Sequence, residues 1–143
     1  MTLTEKQQHL AGRFAFIDDP QERLSMVIDQ AKNRPGLSAA DRSEAHRVQG
    51  CVSVVWLVGE TRDGRCYYRA DAESPLVRGL LTVLCEFFSG ATPAEIAASD
   101  ADPLAALELT HNLSPTRRHG LASARATIQA FAQRQLSNPD SAP

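Results

Sequence analysis

Apolar residues along this chain recur at two spacings. In DDPQERLSMVIDQAKNRPG, Leu24, Val27, Ile28 and Ala31 fall three or four apart, which predicts a helix with one apolar stripe. An aspartate before Pro20 supplies its cap, and Asn33, Pro35 and Gly36 stop it. LTEKQQHLAGRFAFI carries a weaker version of the same pattern and predicts a first helix capped by Thr2 or Thr4. From Val52 to Val58 the spacing changes. The run is rich in β-branched residues, and a second such run, RCYYRA, follows a turn through Arg62, Asp63 and Gly64, which predicts a hairpin. Val52, Val54, Trp56 and Val58 alternate with Val55 and Leu57, so both faces of the first strand are apolar near its middle. Such a strand is covered on both sides or lies centrally in its sheet.

Helical spacing then returns. Ser74 and Pro75 open SPLVRGLLTVLCEFFSG, in which Val77, Leu80, Leu81, Leu84, Phe87 and Phe88 share a face and Gly90 ends the run. TPAEIAAS and DPLAALEL predict two short capped helices, and Ser114 with Pro115 opens a long one carrying Leu121, Ala124, Ile128 and Phe131. The polar, aperiodic LSAADRSEAHRVQG predicts a loop running into the first strand. The sum is an α+β fold, a small antiparallel sheet packed against helices. Residues 1–136 read as a single domain and 137–143 as a flexible C-terminal tail.

Composition narrows the function classes. At 143 residues, with 43% hydrophobic and 22% charged residues, the chain suits one globular domain with a sizeable core. A formal net charge of -2 offers no electrostatic case for nucleic acid or an anionic membrane. The longest apolar run, Val54 to Val58, is far short of the roughly 20 residues of a membrane span. MTLTEKQQHL lacks a signal peptide's apolar core, so the expected location is cytoplasmic. Three cysteines there are expected to be free thiols rather than a disulfide framework.

Cys51 is the first candidate for chemistry. Gly50 before it opens backbone conformations closed to other residues, and the loop-to-strand junction would hold a thiol at an edge. Arg42, His46 and Arg47, just upstream, would favour the attacking thiolate. On residue type alone a buried structural thiol is an equal reading. Cys66, in a strand, and Cys85, beside an apolar stripe, read as small hydrophobes. Pairs with zinc-ligand spacing, a nucleophile elbow, a phosphate loop and a dinucleotide fingerprint are all missing from the sequence. His46, His111 or His119 remain open as a base for a Cys-His nucleophile. Gly79 and Gly120 each cost about 1 kcal/mol inside a helix. They predict either close approach of other backbone, such as the Cys51 loop, or a kink or helix end.

VQGCVSVVWL, ADAESPLVRGLLTVL and LSPTRRHGL, in this order and at these spacings, resemble the SufE family, the sulfur acceptors that work with PLP-dependent cysteine desulfurases in iron–sulfur cluster assembly. The resemblance runs through nearly the whole chain. It implies that Cys51 falls on the cysteine that receives sulfane sulfur as a persulfide. Arg42, Gln49, Gly50, Ser53 and Trp56 match the surrounding pattern, as do Asp71, Gly79, Arg117 and Gly120, and Arg78 stands where the family has a basic residue. Of these, Arg42, Gln49, Gly50, Ser53, Asp71 and Arg117 are the implied supporting or partner-contact residues. His46, Val54 and His119 depart from the family's amide side chains.

The implied fold is SufE-like, similar to the IscU-type scaffold. The implied partners are a SufS-type cysteine desulfurase and a downstream iron–sulfur scaffold, with no nucleic acid and no membrane, the chain itself being a monomer or homodimer. It is implied to be a desulfurase accessory rather than a stand-alone enzyme. It needs no cofactor of its own, since PLP belongs to the desulfurase. The alternative reading is an iron–sulfur cluster scaffold or metal-binding module of similar fold, which requires three or more converging ligands.

Overall fold

A computed structural model of the chain describes residues 2–50 and 53–137. Helix α1 (Leu3–Arg13) starts at a capping box: Thr2 accepts from the Glu5 N–H and the Glu5 carboxylate accepts from the Thr2 N–H. It stops four residues short of Ile17, where the Phe14 and Ala15 N–H groups reach back three residues, to the Ala11 and Gly12 carbonyls, instead of the helical four. Phe14 folds inward at that stop while Phe16 points to solvent, 98% exposed. Helix α2 (Pro20–Lys32) has Asp19 as its cap, as the sequence predicts.

The hairpin is β1 (Val55–Arg62) and β2 (Arg65–Ala72), antiparallel, with Arg62 opposite Arg65. Asp63 and Gly64 both lie at positive φ, 53° and 76°, the geometry of a two-residue type I′ turn. β1 therefore begins later and runs further than the predicted span of 52 to 58. Val54 precedes it, and the polar Glu60, Thr61 and Arg62 belong to it, because the tight turn keeps the two chains paired up to its corner. Val52 lies outside the described residues.

Helix α3 (Pro75–Phe88) is the hub, touching α1, α2, β2 and the two helices α5 (Pro103–Ala106) and α6 (Pro115–Ser137). Its predicted stripe, Val77 through Phe88, is buried throughout, and Gly90 at φ +92° turns the chain away. Helix α4 (Pro93–Ala98) packs on α6. α5 is only one turn, shorter than DPLAALEL suggests. Glu108 adopts φ +59° and the Leu109 N–H returns to the Leu104 carbonyl at 2.8 Å, an arrangement that buries both Leu107 and Leu109. α6 runs through Ser137, so residue 137 continues the last helix, and 138–143 lie outside the described residues.

Register sorts the hairpin into two faces. Val55, Leu57, Gly59, Cys66, Tyr68 and Ala72 share the face packed on the helices. There the Tyr68 hydroxyl donates to the Ile128 carbonyl at 3.0 Å, and the Phe131 ring meets Tyr68 edge-on at 5.6 Å. A Cβ on Gly59 would fall 2.8 Å from that phenyl ring, so a glycine is needed where α6 crosses the strand. The other face, with Trp56, Val58 and Asp71, is covered by the loop from Leu37 to Arg47. β1 is thus covered on both sides but is not central, since the sheet has two strands. Its outer edge is met at one end, where the Val48 N–H bonds the Val55 carbonyl and Arg47 bridges to Trp56.

Gly79 provides the close backbone approach its helical position predicts, but towards α2: a Cβ there would lie 3.2 Å from Val27 Cγ1 and 3.3 Å from Ile28 Cα. Its neighbour is therefore a helix and not the Cys51 loop. No helix among the described residues is long and apolar enough to cross a membrane.

Candidate functional site

Cys51 itself lies outside the described residues, and the site is built from what flanks it. Gly50 has φ +85°, a left-handed conformation that strains any side chain. A Cβ there would also come within 3.0 Å of Ser123 Oγ and 4.0 Å of His119 Nε2. The backbone before Cys51 therefore rests on α6. On the other side of Cys51, exposed Ser53 borders an open cavity of about 20 Å³ whose walls are the apolar Val55, Val77, Leu81 and Leu121, with Thr116, Arg117 and Gly120 of α6 at its rim. That volume holds about one water-sized group.

Both flanks thus meet the same stretch of α6. Thr116, His119, Gly120 and Ser123 recur at helical spacing and form a small and polar stripe on that stretch. Gly120 lines the same cavity as Ser53. Ser123 and Thr116 are the residues sequence reasoning missed. Their i, i+3, i+4, i+7 recurrence with His119 and Gly120 was the available signal, and an eye on apolar stripes passes over it. Gly50→Ala is expected to lower stability by about 1–2 kcal/mol in urea denaturation, the cost of a left-handed alanine. Adding Ser123→Ala should relieve the side-chain contact and leave the backbone part of the loss.

A second group fixes the loop upstream. Asp71 is the one buried charged side chain among the described residues, 2% exposed. Its Oδ2 accepts from Arg42 Nη2 at 2.6 Å, Arg42 Nε at 3.1 Å and the Leu37 N–H at 3.0 Å. Oδ1 accepts from the Ala72 N–H at 2.8 Å and faces Arg78 Nε at 3.4 Å. Burial alone would push the carboxyl up. The hydrogen bonds from Arg42, Ala72 and Leu37 outweigh it and hold Asp71 below the usual carboxylate range. The Arg42 guanidinium also covers Trp56, 5.8 Å from the ring, and Asp41 pairs with Arg69 at 3.2 Å. Gly36 makes room, since a Cβ there would fall 2.6 Å from Asp71 Oδ2.

The predicted residues therefore divide. Gly50, Ser53 and Arg117 gather at the N-terminal half of α6. Arg42 and Asp71, with Trp56 and Arg78, form a separate clamp on the outer face of the hairpin. Gln49 is exposed next to Gly50. Of the three basic residues expected to favour a thiolate, Arg42 is committed to Asp71. His46 holds the Asp41 carbonyl through Nδ1 at 2.9 Å, and Arg47 faces Glu44 at 3.6 Å. Only His119, of the candidate bases, stands against Gly50. Cys66 and Cys85 are buried free thiols. Burial pushes Cys66 up and Cys85 up to about 12. Among the described residues no three His, Cys, Asp or Glu side chains converge as a metal site requires.

These features define a class: a small α+β domain in which the sheet among the described residues is a two-stranded hairpin and Gly50 lies against the long helix α6. Residues 8–132 match the family model described as SufE, Fe-S metabolism associated domain, and the chain belongs to that family. It is 34% identical over 128 residues to an uncharacterized SufE-like protein of Rhizobium meliloti, covering 86% of this chain and 91% of the relative. A SufE-like protein of Synechocystis is 31% identical over 119 residues, 83% of this chain and 75% of the relative. A chloroplastic quinolinate synthase of Oryza sativa matches at 39% over 99 residues, 68% of this chain but only 14% of that protein. Among solved structures, a hypothetical protein from Thermus thermophilus shares the fold, with a TM-score of 0.73, 19% identity and coverage of 92% of this chain and 96% of that one. Family membership supports a sulfur-transfer role in iron–sulfur metabolism.

Proposed function

We propose that the protein accepts sulfane sulfur on Cys51 from a SufS-type cysteine desulfurase, stimulates that enzyme by unloading it, and passes the sulfur to an iron–sulfur scaffold. The Cys51 thiolate attacks the terminal sulfur of the desulfurase's cysteine persulfide. A new S–S bond forms at Cys51, the S–S bond in the donor breaks, and the donor cysteine leaves as thiolate. The sulfane sulfur is neither oxidised nor reduced, so the step needs no co-reactant. Carbon–sulfur cleavage belongs to the partner's PLP, and this chain contributes a thiol and its surroundings.

The observation that carries the reading is the 20 Å³ apolar cavity bordered by Ser53, two residues from Cys51, and facing the α6 stripe that Gly50 touches. A pocket of that size suits one sulfur atom withheld from reductants. The positive φ at Gly50 supplies the pivot by which the thiol swings out into a partner's active site. Docking would use the loop from Ser38 to Arg47 and the exposed Arg117. Within that loop Arg42 and Asp41 are already paired to the hairpin, which leaves Glu44 and Arg47 as the charges presented outward.

Intact mass after incubation with a cysteine desulfurase, PLP and cysteine tests the proposal. The wild-type chain is expected to gain one sulfur mass, reversed by reductant, and Cys51→Ser to gain none. A wild-type chain that stays unmodified while a known acceptor is loaded in the same mixture would overturn it.

A further inference from the structure

Further round α3 from the Ser53 cavity lies a larger one, about 360 Å³, within the size range of small-molecule sites. It sits between α3, the 34–37 segment and the edge of β2. Three guanidiniums, those of Arg34, Arg69 and Arg78, line it against a single carboxylate, Glu86. Each arginine is held in place by a neighbour, Arg34 by a carboxylate of the lining itself. Arg34 pairs with Glu86 at 3.3 Å, Arg69 with Asp41 at 3.2 Å, and Arg78 donates to the Arg34 carbonyl at 2.7 Å beside its contact with Asp71. A guanidinium carries five N–H donors, and these contacts use one or two of each, so fixed donors remain for a ligand.

The β2 edge adds a further one. Register turns the N–H and C=O of Cys66, Tyr68 and Ala70 away from β1. Those of Cys66 bond Ala91 and Gly90, and the Tyr68 N–H bonds Ser89 Oγ at 2.9 Å, while those of Ala70 face the cavity. The floor is apolar, with Leu37 and Cys85 both buried.

We propose that this cavity is a binding site for a small organic carboxylate with a short apolar body. The carboxylate would lie between the guanidiniums and the Ala70 N–H, and its body on Leu37 and Cys85. Nothing in this inference depends on the chemistry of Cys51.

An NMR titration of the full chain with isovalerate, set beside inorganic phosphate and isobutanol, tests it. Isovalerate is expected to give saturable shifts confined to the amides of Ala70 and Gly36, which line the cavity. Arg34→Gln and Arg69→Gln, both at half-exposed rim positions that leave the core untouched, should each weaken binding about tenfold, the worth of one charge-assisted hydrogen bond. Shifts that do not saturate, that spread equally to surface arginines such as Arg117, or that phosphate or isobutanol reproduces at the same concentration would overturn the proposal.

Discussion

Asp71→Ala is expected to lower the stability of the chain by about 3 kcal/mol in urea denaturation, the range for removing one partner of a buried ion pair. Five groups converge on that carboxylate: two donors of Arg42, the N–H groups of Leu37 and Ala72, and Arg78. Deleting it leaves two arginines facing one another and two backbone donors without an acceptor. The Arg42 side chain is 44% exposed and turns to water once released, which keeps the loss near the lower end of the range. What detaches is the 36–47 cover of the hairpin's outer face. Limited proteolysis should accordingly show new cleavage between Ser38 and Arg47 before any in the helices.

The same network sets an acid limb. A carboxylate whose native pKa lies below its unfolded value of about 3.8 contributes stability that is complete above that value and lost as pH falls through the lower native one. Glu86 acts in the same direction. Burial pushes it up, but Arg13 at 2.6 Å and Arg34 at 3.3 Å hold it down. Stability should therefore fall as pH drops below about 5, and Asp71→Asn should flatten that limb without abolishing it, because Glu86 still titrates. An Asp71→Asn chain with the wild-type slope would show that the clamp is not ionic.

This clamp also marks where sequence reasoning ends. Helix starts were legible because their chemistry is local: Asp19 before Pro20, Ser74 before Pro75, Thr92 before Pro93 and Asp102 before Pro103 each accept from an N–H two or three residues on. Asp63-Gly64 announced the hairpin for the same reason. The limits of β1 did not follow, since an apolar window stops at polar Glu60 while pairing follows the turn. The covering of the second sheet face was legible only as a need, two apolar faces on one strand. What meets that need is a polar loop anchored through Arg42 to Asp71, 29 positions away, and no local pattern carries a contact of that separation. Cys51 was singled out by its motif and by Gly50, and it lies outside the described residues. The contact of Gly50 with α6 runs through Ser123, whose small polar side chain gives no apolar signal.

The second large effect concerns which thiol reacts. Iodoacetamide at pH 7 is expected to modify Cys51 alone in the native chain and all three cysteines in denaturant. Cys85, pushed up to about 12 by burial, is thiolate in only about one molecule in 10⁵ at neutral pH, and the thiolate is the attacking form. Cys66 is fully enclosed, and burial raises it as well. Persulfide loading should obey the same order. A Cys66→Ala/Cys85→Ala chain, shown to be folded by circular dichroism, is expected to load within about twofold of wild type, since neither thiol holds a thiolate that can attack. Cys51→Ser should not load at all, even with both buried cysteines present. Sulfur gained by Cys51→Ser would mean that the core opens on docking to expose Cys66 or Cys85. That would move the nucleophile from the loop to the hairpin or α3, and leave the cavity beside Ser53 without a part in the transfer.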